Sequence, residues 1–149
     1  MRLNNLEEIL RFAIRKEADT ATAYRIAADR ASPGVKKFFE ELAEEEEKHR
    51  KKLEKFDLKK IGPMRLKETK GLGMSERMDD IPFGPGLTYE ELLRMAIKNE
   101  EKSQKLYTST AKLVTDSNLK KLLLILAQEE STHKERLEKI YDDEILTEF

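Results

Sequence analysis

Two segments of the chain place a glutamate and a histidine three residues apart. Glu46 and His49 lie in the run EEEEKHR, and Glu130 and His133 lie in EESTHK; the sequence contains no other histidine. Residues at positions i and i+3 share one face of a helix, so each pair can direct a carboxylate and an imidazole to one point. Carboxylates and imidazoles both bind zinc, iron and other transition metals. The spacing therefore predicts metal binding.

The sequence around these pairs is repeated. Residues 6–17, LEEILRFAIRKE, match residues 89–100, YEELLRMAIKNE. Residues 42–55, LAEEEEKHRKKLEK, align without gaps on residues 126–139, LAQEESTHKERLEK, so the two Glu-x-x-His motifs coincide. Such a repeat indicates a duplicated helical hairpin whose two copies position their residues alike.

Apolar residues in each repeat follow alternating steps of four and three residues, the spacing of helices packed in a bundle. Along this seam, each of the four predicted helices carries one glutamate at mid-length. The candidate metal ligands are the glutamates and histidines of the seam: Glu17, Glu46, His49, Glu100, Glu130 and His133. The glutamates beside the seam are expected on the solvated face: Glu44, Glu45, Glu47, Glu101 and Glu129.

Charge balance predicts two metal ions in this seam. Four buried carboxylates are strongly destabilising unless they are protonated or compensated by cations. Two divalent cations neutralise four carboxylates and leave both imidazoles uncharged. Glu46 and Glu130 can each reach from one ion to the other. Glu17 and Glu100 are then the terminal carboxylates.

A tyrosine stands seven residues after each terminal glutamate, at Tyr24 after Glu17 and at Tyr107 after Glu100. Each hydroxyl lies on the seam face and could hydrogen-bond a ligating carboxylate. Each ring could equally be a plain core aromatic. The sequence leaves both interpretations open.

Glycine and proline mark a break in the middle of the chain. Five of the six glycines and three of the four prolines lie between Gly62 and Gly86, so both flanks are predicted to be helical. We predict one all-α domain over residues 1–149, with helical hairpins at 5–57 and 88–141, a crossover linker at 58–87 and a short C-terminal tail at 142–149. The predicted helix starts are Asn4 or Asn5, Ser32 followed by Pro33, Thr88 with Glu91 in a capping box, and Asp116 or Ser117.

Composition excludes several classes of protein. With 29 basic and 30 acidic residues, the net charge of -1 provides no strong field for nucleic acid or an anionic membrane. No stretch approaches the roughly 20 apolar residues of a spanning helix, and no apolar leader segment opens the sequence, so a cytoplasmic protein is expected. The absence of cysteine excludes a thiolate zinc site, an iron–sulfur cluster and a disulfide framework. Any metal must therefore be bound by oxygen and imidazole.

These motifs resemble those of a known family. Ala-x-x-x-Glu with a tyrosine seven residues on, then Glu-x-x-His, repeated after a long crossover, is similar to the ferritin-like di-iron carboxylate superfamily and most similar to its rubrerythrin-type domain. The resemblance covers about residues 5–141 and fills all six ligand positions. It implies a ferritin-like four-helix bundle of two antiparallel hairpins, two iron ions per chain with manganese or zinc as alternatives, and a homodimer. It also implies an oxidoreductase that reduces peroxide or dioxygen under oxidative stress.

Departures from the family pattern keep other functions open. Rubrerythrins append a four-cysteine rubredoxin module, and since this sequence has no cysteine, the resemblance implies an external electron donor such as a rubredoxin-like protein. They also carry a further glutamate at the position of Ser103. Bacterioferritin-type proteins lack that glutamate, so a ferroxidase or iron store is an alternative; Glu47 replaces their haem-ligating methionine, so haem is not expected. A third hypothesis is a non-catalytic bundle whose metal only stabilises the fold.

Overall fold

The computed structural model describes residues 5–56 and 86–146, which fold into two helical hairpins. The first hairpin pairs α1 with α2, and the second pairs α3 with α4. The helices span Leu6–Arg30 in α1, Pro33–Glu54 in α2, Tyr89–Ala111 in α3 and Ser117–Glu144 in α4. The described residues confirm the prediction of an all-α, four-helix architecture. None of these helices is long and apolar enough to cross a membrane.

One predicted boundary differs from the structure, and another predicted segment lies mostly outside the described residues. Helix α4 ends at Glu144, whereas the second hairpin was predicted to end at residue 141. The added residues, Asp142 to Glu144, are all acidic and lie beyond the repeated segment, so the repeat did not predict that the helix continues through them. The predicted crossover linker lies outside the described residues except at positions 86 and 87.

Side chains cap three of the four helix N-termini, each satisfying a backbone N–H that has no partner within the helix. The three bonds join Asn5 Oδ1 to the N–H of Glu8 at 2.8 Å, Thr88 Oγ1 to that of Glu91 at 3.1 Å, and Asp116 Oδ1 to that of Leu119 at 2.8 Å. Glu91 accepts the N–H of Thr88 at 3.2 Å in return. The predicted capping box is therefore present.

The fourth start, at Ser32, is correct in position but has a different physical basis. The Ser32 side chain makes no capping bond to α2. Pro33 occupies the first helical turn, where its missing N–H costs nothing and its fixed φ suits the helix. Proline, and not the serine hydroxyl, sets this helix start.

Apolar side chains form two core clusters at opposite ends of the bundle. The first includes Leu10 of α1 and Leu123 of α4, and the second includes Phe39 of α2 and Leu137 of α4; all four are 1% exposed or less. Both clusters draw on all four helices. The seam glutamates occupy the helix segments between the two clusters, so apolar packing separates them from both ends of the bundle.

Contacts across the bundle fix the register of α2 against α4. As the residue number rises along α2 it falls along α4, in the pairs Glu41–Arg136, Glu45–His133 and His49–Glu129. The two helices are therefore antiparallel. Because the register brings their middles level, both Glu-x-x-His motifs lie at the same height in the bundle.

Removing the side-chain hydroxyl should reduce the stability of the protein more at Thr88, which caps its helix, than at Ser32, which does not. Thr88→Ala removes the side-chain half of the capping box and should lower the free energy of unfolding by about 1 kcal/mol. Ser32→Ala, the matched control, should change it by less than about 0.5 kcal/mol. Chemical denaturation of both variants measures the difference; equal losses at the two positions would contradict the capping assignment.

Candidate metal centre

The structure brings all six predicted ligands together in the middle of the bundle. All six residues are 3% exposed or less. Their ligand atoms form two groups, each lying within 4.8 Å: Glu17, Glu46, His49 and Glu130 in one, and Glu46, Glu100, Glu130 and His133 in the other. We refer to these six residues as the Glu/His cluster. Each group combines one histidine, one unshared glutamate and the two shared glutamates, as the sequence predicted; that these residues bind metal stays a prediction.

Each imidazole turns its Nδ1 atom towards the carboxylates. Nδ1 of His49 lies 2.9 Å from Oε1 of Glu130 and 3.5 Å from Oε2 of Glu17. Nδ1 of His133 lies 2.9 Å from Oε1 of Glu46 in the corresponding arrangement. The two rings are nearly parallel, with an interplanar angle of 10° and centroids 5.8 Å apart. Nδ1 is therefore the nitrogen positioned to bind a metal in both halves of the cluster.

Three carboxylate oxygens of the Glu/His cluster are buried without a hydrogen-bond partner among the described residues: Oε2 of Glu17, Oε2 of Glu100 and Oε2 of Glu130. A buried carboxylate oxygen with no hydrogen-bond partner is destabilising. Three such atoms within one cluster fit cations bound between them. The donor set of four carboxylates and two imidazoles also suits a pair of transition-metal ions.

The tyrosines connect the two hairpins at the cluster. The hydroxyl of Tyr24 on α1 donates to Oε1 of Glu100 on α3, and the hydroxyl of Tyr107 on α3 donates to Oε1 of Glu17 on α1. Each tyrosine therefore orients the terminal glutamate of the opposite helix, and its ring also packs in an apolar cluster. Burial, followed by the nearby carboxylates, raises the pKa of both phenols well above the usual value, so both stay protonated as donors.

Two glutamates predicted to be only solvated contact the histidines, and for them the prediction was wrong. Glu129 accepts a hydrogen bond from Nε2 of His49, and Glu45 accepts one from Nε2 of His133. Their side chains are 41% and 40% exposed, so they lie at the edge of the buried cluster. The repeat held a signal for both, because a glutamate directly precedes the ligand glutamate in each half.

The remaining off-seam glutamates keep to the surface, as predicted. Glu44 is exposed. Glu47 pairs with Arg50 at 2.8 Å, and Glu101 pairs with Lys105 at 3.2 Å. These are surface ion pairs, which contribute little to stability. None of the three contacts the Glu/His cluster among the described residues.

Burial governs the protonation of the cluster. Burial, reinforced by the neighbouring carboxylates, raises the pKa of Glu46 and of Glu130 well above the usual value. Burial alone would lower the pKa of His49, but the adjacent Glu17 and Glu129 outweigh it and the pKa is raised. The pKa of His133 is raised in the same way. Protons therefore neutralise the metal-free cluster, and metal ions would have to displace them.

A cleft between α2 and α4 leads from the surface to the histidines. It has a volume of about 290 Å³ and is lined by Glu45, Lys48, His49 and Lys52 of α2 and by Glu129, Thr132, His133 and Arg136 of α4. The two histidines are its buried lining residues. The α2/α4 cleft therefore brings small solutes to the Nε2 edges of both imidazoles.

Metal-free protein should lose stability as the pH rises from about 5 to about 8. The folded-state pKa values of Glu46, Glu130 and both histidines are raised, so the folded state binds more protons than the unfolded chain in this window. Stability therefore falls with increasing pH. Bound metal should abolish this loss, because the loaded cluster holds no protons to release as the pH rises. Thermal unfolding in chelator and in excess metal across this range measures both; a metal-free Tm that increases with pH would contradict the assignment.

Glu46→Gln should separate a ligand from its surface neighbours. The change keeps the shape of the side chain but removes one of the four carboxylates, so affinity for the metal pair should fall by at least about tenfold. Glu44→Gln, two positions away on the exposed face, should leave affinity unchanged and alter stability by less than about 0.5 kcal/mol. Metal titration against a competing chelator measures the affinities. Equal effects at both positions would refute the ligand assignment.

Comparison with known proteins agrees with this geometry. The family model described as Rubrerythrin matches residues 8–71 and 91–148. The chain is similar to the crystal structure of a Thermotoga maritima protein described as ferritin-like and diiron-carboxylate, with a TM-score of 0.76, 23% sequence identity, and coverage of 97% of this chain and 99% of that chain. At that identity the likeness shows the fold. No curated protein matches the chain. The chain belongs to the rubrerythrin family and has a ferritin-like fold.

Proposed function

We propose that the protein is a di-iron carboxylate oxidoreductase, with manganese as an alternative metal, that reduces peroxide or dioxygen with electrons from a separate donor. The observation that carries the proposal is the pair of overlapping ligand groups, each with its own histidine and both sharing Glu46 and Glu130. This arrangement suits two ions held side by side. Two adjacent redox-active ions suit a two-electron reduction better than a single ion does.

Each residue of the cluster has a role in the proposal. Glu17 and His49 would bind one ion, and Glu100 and His133 the other. Glu46 and Glu130 would bridge them. A pair of iron ions, when bound, supplies the two electrons that reduce the oxidant. Four carboxylates balance the charge of two divalent ions, so the loaded site is neutral within the apolar core.

Other residues would maintain the site and admit the oxidant. Tyr24 and Tyr107 hold one oxygen of Glu100 and of Glu17 through their hydroxyls, which restricts the terminal carboxylates. The two apolar clusters exclude water from above and below the site. The α2/α4 cleft would bring a molecule the size of peroxide as far as the two histidines. Because the sequence contains no cysteine, a rubredoxin-like protein is the proposed donor.

One observation favours a second candidate, a ferroxidase or iron store. Ser103, one turn after Glu100 on α3, is buried and occupies the place where rubrerythrins carry a further glutamate. The cluster formed by the described residues therefore offers six candidate ligands and not seven. In this alternative, iron would be the substrate and would leave the site after oxidation.

Anaerobic loading with Fe(II), followed by stopped-flow mixing with peroxide or dioxygen, tests the proposal. We expect two Fe(II) per chain, one round of oxidation, and then a stall, because the sequence contains no cysteine to bind an iron–sulfur or rubredoxin-type iron centre that could return electrons. Adding a reductase with a rubredoxin-like carrier should restore repeated consumption of the oxidant. Glu130→Gln should abolish the first round, and the matched surface variant Glu135→Gln should preserve it.

Two outcomes would overturn the preferred function. Uptake of hundreds of iron atoms per assembly without a donor would establish storage. Stable Fe(II) that reacts with neither oxidant would leave the metal a purely structural role.

A further inference from the structure

Both histidines of the Glu/His cluster use their two ring nitrogens for different partners. Nδ1 faces the buried carboxylates, whereas Nε2 donates to a glutamate on the other helix of the α2/α4 pair. His49 on α2 contacts Glu129 on α4, and His133 on α4 contacts Glu45 on α2. The arrangement is crossed: each hairpin holds the histidine of the other hairpin.

The histidines are buried far more deeply than the glutamates that they contact. The histidine side chains are 2% and 4% exposed, whereas those of Glu129 and Glu45 are about 40% exposed. A glutamate with access to water loses side-chain entropy when it is fixed in one place. Leaving a buried imidazole N–H without an acceptor would cost more free energy than fixing the glutamate side chain. The half-exposed glutamates therefore provide the acceptors that the buried Nε2–H groups require.

The acceptor also determines which nitrogen can bind metal. A neutral imidazole carries one proton, so a carboxylate that accepts from Nε2 fixes that proton and leaves the lone pair on Nδ1. Nδ1 lies among the cluster carboxylates, where the metal would be bound. An anionic acceptor also makes the imidazole a more basic ligand.

We infer that Glu45 and Glu129 are positioning residues that hold each metal-binding histidine in the Nε2–H tautomer from the opposite hairpin. The inference rests on the metal site of the proposed function but not on its reaction. It assigns a role to two half-exposed glutamates on the wall of the α2/α4 cleft, where the sequence predicted only a solvated face.

The two pairs are not equivalent. Arg136 stacks on the ring of Phe38 at 4.6 Å and places Nη1 4.0 Å from Oε2 of Glu45, so that carboxylate is shared between His133 and a cation. Among the described residues, Glu129 pairs with His49 and with no lysine or arginine. The negative charge of Glu129 is therefore fully available to its histidine, and removing it should have the larger effect.

Zinc-loaded, ¹⁵N-labelled protein provides a test that does not depend on turnover. Long-range ¹H–¹⁵N correlation spectra should show both imidazoles bound through Nδ1, each with a slowly exchanging Nε2–H. Glu129→Ala should expose the Nε2–H of His49 to rapid exchange and leave His133 unchanged, whereas Glu45→Ala should do the reverse. The Gln variants keep an acceptor and the packing, and should show intermediate protection.

Affinity for zinc gives a second readout. Glu129→Ala should weaken binding by about 10- to 100-fold, and Glu45→Ala by less. The control variants Glu44→Ala and Glu135→Ala remove exposed glutamates of the same two helices whose side chains form no hydrogen bond or ion pair with the described part of the chain; they should change neither spectrum nor affinity.

The outcomes separate this inference from the proposed function. Normal zinc binding with protected Nε2–H signals in Glu45→Ala and Glu129→Ala would overturn the positioning role alone. An effect of Glu129→Ala on His133 in place of His49 would refute the crossed arrangement. Failure of the wild-type chain to bind zinc or Fe(II) would overturn the metal site and the inference together.

Discussion

Four carboxylates buried at one level of a helical bundle are the constraint on which the rest of this structure depends. Glu17, Glu46, Glu100 and Glu130 come from four different helices, and each is 2% exposed or less. Such a group is stable only if protons or cations neutralise it. The raised pKa values of Glu46 and Glu130 indicate that protons can neutralise the group. The carboxylate oxygens without a hydrogen-bond partner fit neutralisation by bound cations. The two apolar clusters supply the burial free energy that offsets this polar centre.

The duplication allows two short hairpins to build one closed site. In two kinds of contact, a residue of one hairpin forms a hydrogen bond with a residue of the other: Tyr24 bonds Glu100, Glu129 bonds His49, and the corresponding pairs repeat in the second half. In each of these contacts, the partner comes from the other hairpin. The site therefore favours association of the hairpins in one register, in which the two Glu-x-x-His motifs lie level.

The ends of the bundle are closed by apolar packing, and a cleft opens on one side. Apolar packing closes the ends, whereas the α2/α4 cleft opens onto the imidazole edges through a charged mouth that includes Lys48 and Lys52. The half-exposed Glu45 and Glu129 lie between solvent and the buried imidazoles. The imidazole rings therefore stand between the α2/α4 cleft on their Nε2 side and the buried carboxylates on their Nδ1 side.

The sequence by itself determined the helices and the inward-facing residues, because both depend on local spacing. Alternating steps of three and four residues give one helix face, so the six cluster residues were identifiable without any tertiary information. Periodicity cannot show what lies opposite a side chain, since that depends on the register between helices. Only the tertiary structure paired Tyr24 with Glu100, and only it brought Glu129, one position off the seam, to His49. The choice of Nδ1 as the inward nitrogen was likewise decided by tertiary packing, because it follows from how each ring fits between carboxylates of the opposite hairpin.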